Sequence, residues 1–157
     1  MRVISEWNRV APGVGSLSDD SNAASGRGPL QIVVPGSSLK LTRAAVDVVA
    51  DLATSLQAGA ALVAVQIVPY TLPLDRPPVC SQFYRRRLEE LVSSSPVPVK
   101  TELLLARDQE LALQRFLPTA SFILVAARKR RWWRKSEGEK LASALERAGH
   151  RVALVMI

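Results

Sequence analysis

The 157-residue chain has one cysteine, one histidine and two methionines, and aromatic residues make up only 5% of it. Cys80 has no second cysteine with which to close an internal disulfide, so a reducing, cytoplasmic setting is the simplest expectation. His150 has no histidine or cysteine partner in sequence, which removes a metal cluster and a Cys–His nucleophile pair from consideration. Long apolar runs are missing as well. The longest, around Ala60 to Val68, stops at Pro69 and falls well short of the roughly 20 residues a membrane helix needs. Glu6, Asn8 and Arg9 interrupt the start of the chain, against a secretory leader. Acidic residues are in deficit, with 14 Asp and Glu against 21 Lys and Arg, for a formal net charge of +7.

What is present is an ordinary globular balance, 48% hydrophobic and 22% charged, in a length that suits one domain. Residues 1–28 read apart from the rest: Gly13 to Gly28 is small, polar and glycine-rich, with too little apolar surface to offset the entropy of ordering it. We expect a flexible lead-in or linker there and a folded domain over residues 29–157.

In that domain strand-like and helix-like segments alternate. Ile32-Val33-Val34 is a short β-branched run. Leu41, Ala45, Val48, Leu52 and Leu56 then recur at helical spacing, with Ser37 or Ser38 as cap and Gly59 as the stop. Ala61 to Val68 predicts a second strand, and Ser81 to Ser94 a helix after a proline-rich loop. Val97 to Leu105 predicts a third strand; Lys100 and Glu102 within it suit a sheet edge. Asp108 caps a short helix through Phe116, and Phe122 to Ala126 is a fourth strand. Ser136 with Glu139 forms a capping box opening a helix that stops at Gly149, and Val152 to Ile157 closes the series. This order predicts an α/β three-layer sandwich around a five-stranded parallel sheet. The last strand is apolar to its end, and an apolar edge invites pairing, so Val152, Leu154 and Met156 are the expected homodimer interface.

The element order, the segment Ile32-Val33-Val34-Pro35-Gly36-Ser37, the strand ending Gln66-Ile67-Val68-Pro69 and the closing strand resemble the universal stress protein family. The resemblance covers about residues 30–157 and implies the strand order 3-2-1-4-5, a fold shared with adenine nucleotide alpha hydrolase-like proteins. It also implies ATP binding in many members and dimerisation through the final strand. The phosphate-binding residues of the family do not match here. Pro35 stands where an acidic residue usually precedes Gly36 and Ser37. The glycine-rich pattern after the fourth strand falls on Ala126, Lys129, Glu139 and Lys140, where no residue type agrees and Glu139 repels phosphate. ATP binding in the family manner is therefore not expected, and no cofactor is assigned. Pro35, Gly36, Ser37, Ser38, Ala126 and Lys129 remain the candidate ligand-binding residues.

In place of the glycine-rich loop stands Arg128-Lys129-Arg130-Arg131-Trp132-Trp133-Arg134-Lys135, and without its six basic residues the formal net charge would be +1. Arg130-Arg131-Trp132-Trp133 is similar to a motif in the stress-protein-like cytosolic domains of some amino-acid permeases of the APC superfamily, although the likeness fades at Lys135-Ser136. The patch reads as a solvated loop with one packed tryptophan, a contact for an anionic membrane surface or transporter, a nucleic-acid contact (ranked lower), or a clamp on an anionic second messenger. The resemblance adds cyclic dinucleotides to the candidate ligands. Enzymatic readings are thin. Pro35-Gly36-Ser37-Ser38 is similar only in size and hydroxyl content to the Ser-Gly-Gly phosphate loop of related hydrolases, and helix capping accounts for the serines. The expectation is a non-catalytic, dimeric regulatory or ligand-binding domain with a degenerate ATP site. A nucleic-acid or anionic-surface module acting through Arg128–Lys135 is the alternative.

Overall fold

Runs of Val, Ile, Leu and Ala too short for helices and hydrophobic on both faces form the strands at the centre of this molecule. The computed structural model describes residues 30–128 and 136–157, together with the backbone of Trp7–Arg9. In chain order the elements are β1 (Trp7–Arg9), β2 (Gln31–Pro35), α1 (Leu39–Leu56), β3 (Gly59–Ile67), α2 (Ser81–Val92), β4 (Val99–Ala106), α3 (Gln109–Phe116), β5 (Phe122–Ala127), α4 (Glu137–Arg147) and β6 (Arg151–Met156).

The sheet order is β1-β4-β3-β2-β5-β6. Every pair from β4 to β6 is parallel, so the five parallel strands follow the expected 3-2-1-4-5. β1 is an addition that the sequence reading did not foresee. It runs antiparallel to β4, pairing Trp7 with Ala106 and Arg9 with Leu104. The outer edge of β4 is therefore covered along its C-terminal half, while the expected edge residues Lys100 and Glu102 precede that pairing.

Alternation along the strands divides the core in two. Ile32, Val34, Leu62 and Leu124 face α1 and α2, whose Val46, Val49, Leu88 and Leu91 cover them. Val33, Val63, Leu104 and Ile123 face α3 and α4, meeting Leu113, Leu141 and Leu145. Strand side chains of period 2 serve both layers, which makes this the three-layer sandwich predicted from element order.

The caps follow local chemistry, with two departures. Asp108 accepts from the Leu111 N–H at 2.8 Å, and the Ser136/Glu139 capping box is formed in both directions. Ser38 holds the N-cap position of α1 but makes no side-chain cap bond. Gly59, expected to stop α1, instead opens β3; the left-handed turn falls on Gln57 (φ 50°), whose N–H reaches the carbonyls of Ala53 and Thr54. Enough backbone bonding is available there to hold a non-glycine residue in a costly conformation.

Candidate functional site

In an open parallel sheet, ligands bind beyond the carboxyl ends of the strands at the point where the chain reverses its direction of winding. Here that point lies between β2 and β5, the central neighbours from which the strand order departs in opposite directions. A cleft of about 320 Å³ occupies it, lined by Ser37, Ser38 and Leu41 from the start of α1, Ala126, Ala127 and Arg128 from the end of β5, and Ser136, Glu137 and Gly138 from the start of α4.

The α1 wall is built by a sharp exit from β2. Pro35 and Gly36 are buried, and the Gly36 N–H continues the sheet by donating to the Val63 carbonyl at 2.8 Å. A Cβ on Gly36 would lie 3.0 Å from the Ala64 Cβ and 3.1 Å from its Cα, so the turn hugs β3. Gln109 Nε2 donates to the Gly36 carbonyl at 3.3 Å from the first turn of α3. The Ser37 N–H donates to Thr42 Oγ1 at 2.9 Å, and Thr42 is buried. These bonds fix the turn and leave exposed Ser37 and Ser38 facing the cleft. The N–H groups of Leu39, Lys40 and Leu41 have no acceptor four residues back within α1, as in the first turn of any helix.

The α4 wall is held at its start by a capping box. The Ser136 N–H donates to Glu139 Oε2 at 2.6 Å, and the Glu139 N–H donates to Ser136 Oγ at 3.3 Å. Glu137 pairs with Lys140 at 2.7 Å. Gly138 lets the helix press onto β5, since a Cβ there would lie 2.6 Å from the Ala126 carbonyl oxygen and 2.9 Å from the Ala127 Cβ.

Of the six candidate ligand-binding residues, the structure brings Ser37, Ser38 and Ala126 to the cleft lining. Pro35 and Gly36 lie beneath it as the turn that positions the serines, and Lys129 lies outside the described residues. From the basic-tryptophan patch, exposed Arg128 lines the cleft; Lys129, Arg130, Arg131, Trp132, Trp133, Arg134 and Lys135 lie outside the described residues. Of the family-pattern positions, Ala126 belongs to β5, while Glu139 and Lys140 belong to the first turn of α4. Leu41, Ala127, Ser136, Glu137 and Gly138 were not among the site candidates. The signal for them was available in the element order, because helices following parallel strands all begin at one end of the sheet.

The remaining candidates sit elsewhere. Val152 is half-buried against the α3/α4 core, whereas Leu154 and Met156 are exposed on β6. Cys80 is exposed at the N-cap of α2; the N–H groups of Phe83 and Gln82 favour its thiolate and lower its pKa. His150 is buried at the N-terminal end of β6, opposite the cleft, and desolvation lowers its pKa. Fold and cleft together define an open α/β domain with a ligand-sized crevice at its switch point. No family model matches the chain, and no curated protein is significantly similar to it.

Proposed function

We propose that this chain is a non-catalytic ligand-binding or regulatory domain of the universal stress protein kind, acting as a homodimer, with a degenerate ATP site that takes an anionic small molecule. The observation that carries this reading is the cleft between β2 and β5. It joins serine hydroxyls and Arg128 to an apolar floor of Leu41, Ala126 and Ala127 at the place where such folds bind ligands. Binding is favoured over turnover by the tasks its polar groups perform. Ser136 is committed to capping α4, and His150, the one imidazole in the sequence, stands at the other end of the strands. The homodimer reading rests on the β6 edge, where Leu154, Met156 and Ile157 are exposed together.

A second reading draws on the same rim. Exposed Arg128 opens the run that carries six basic residues and two tryptophans, a composition suited to nucleic acid or an anionic membrane surface. A thermal-shift screen separates the two. ATP, ADP, AMP, cyclic dinucleotides and a short single-stranded oligonucleotide are tested at low and moderate salt. A small ligand held in the cleft raises the melting temperature at both salt levels. Stabilisation by the oligonucleotide alone, collapsing with salt and lost on replacing Arg130 and Arg131, would overturn the cleft reading.

A further inference from the structure

The outer edge of β4 is divided between charge and cover. Among the described residues its N-terminal half is open, and that half carries exposed Lys100. Its C-terminal half is the apolar run Leu103-Leu104-Leu105-Ala106, and β1 lies antiparallel along Leu104, Leu105 and Ala106. The Ala106 carbonyl accepts from the Val68 N–H at 2.8 Å, so it points toward β3 and away from β1. Backbone groups alternate in direction along a strand, which turns the N–H and C=O of Leu105 outward, where Asn8 stands directly opposite. Asn8 and Leu105 are thus the pair placed to exchange both backbone bonds. A strand of 3 residues is at the short end of what sheets use. The covalent link through residues 10–30 offsets this by making the pairing intramolecular, at an effective concentration on the order of millimolar.

We propose that β1 is a detachable cap, and that its release turns β4 into an edge on which a second copy of this chain docks. The occupant is the β4 strand of that copy. Two β4 strands related by a two-fold axis run antiparallel, and each supplies the N–H and C=O groups that the other lacks. Their ladder draws on the 8 residues of Val99–Ala106, against the 3 that β1 offers. With β1 in place Leu105 is taken, and a second copy is confined to the half that carries Lys100. A lysine on a bare edge disfavours strand addition. Charge and cap between them keep this edge out of assembly, and removing the cap opens the apolar half. The inference stands apart from the cleft and from the β6 dimer.

The test is light scattering on the full chain carrying Leu154→Lys and Met156→Lys, which takes the β6 edge out of the result. Asn8→Pro, added to that chain, deletes the N–H opposite Leu105 and is expected to release β1. The mass is then expected to double as concentration is raised. In dilute solution, deuterium exchange at the Leu105 N–H is expected to quicken roughly tenfold or more. Thr101→Pro, added last, removes another outward N–H while leaving the inward ones to β3, and is expected to return the mass to its starting value. A mass unmoved by Asn8→Pro while Leu105 exchange quickens overturns the proposal. Unchanged Leu105 exchange overturns it too, because β1 is then not what covers the edge. So does a doubling that Thr101→Pro leaves intact, which would mark aggregation through unfolding. A starting chain already heavier than one copy would count against the β6 dimer alone, with the cap still judged by the further doubling on Asn8→Pro.

Discussion

His150 shows how burial alone can set the behaviour of a residue. It is 8% exposed, its backbone N–H donates to the Leu145 carbonyl at 3.1 Å, and its Nδ1 has no partner among the described residues. His150 follows the C-terminus of α4, where a charged imidazole would be favoured, but desolvation acts in the opposite direction and lowers the pKa from the usual 6.5. The folded state therefore prefers the neutral ring. As pH falls through about 6.5, the unfolded chain takes up the proton first, and stability declines until the lowered folded pKa is reached. Above that window the contribution is fully present. Thermal melts from pH 8 to pH 5 are expected to show the wild type losing stability across this range and His150→Gln losing less. Equal slopes for the two proteins would remove His150 as the cause.

Among the elements, α4 carries the sharpest steric condition. Its apolar face, Leu141, Ala142, Ala144 and Leu145, is buried, and the capping box fixes where it begins. Its register on β5 depends on Gly138, because the helix start passes so close to the Ala126 carbonyl that backbone, rather than a yielding side chain, would meet a new Cβ. Gly138→Ala improves helix propensity by up to about 1 kcal/mol, yet we expect net destabilisation of about 1–3 kcal/mol because of the forced shift. Chemical denaturation checks the sign: a variant more stable than wild type would mean that α4 slides without cost. The loop after β3 is secured differently. Arg107 donates to the carbonyls of Val68 (2.8 Å), Pro69 and Leu72 (2.7 Å), with its guanidinium 5.1 Å from the centre of the Tyr70 ring. One side chain thus organises a segment that has no regular structure of its own.

For the molecule as a whole, the two sheet edges differ in what covers them. β4 receives β1, while among the described residues nothing pairs with the outer edge of β6. Leu154 and Met156 on that strand, and Ile157 just after it, are 41%, 44% and 42% exposed, so an open ladder coincides with exposed apolar side chains. A homodimer through β6 would bury both. Light scattering on wild type is then expected to give twice the chain mass, and Leu154→Lys with Met156→Lys to give one chain mass without loss of the fold. A wild type that stays monomeric at high concentration would eliminate this assembly.

The parallel architecture was legible in the sequence because local rules and tertiary demand agree. β-branched runs such as Ile32-Val33-Val34 exclude long helices, apolar residues at helical spacing in α1 require a sheet to cover, and Asp108 and Ser136 mark helix starts by their own hydrogen bonds. The serines of the site were legible for the same reason, as residues of the turn after β2. The meeting of Ser38, Arg128 and Gly138 was not. These residues lie far apart in sequence, and only the strand order, with β5 crossing to the far side of β2, brings two helix starts and one strand end to a single cleft. β1 was hidden because three residues have too little periodicity to announce a strand, and their pairing depends on an edge that exists only once β4 has joined the sheet. Sequence determined which segments bury which faces, through side-chain chemistry that acts over a few residues. Tertiary structure decided which distant ends converge, because that depends on the order in which the whole sheet is assembled.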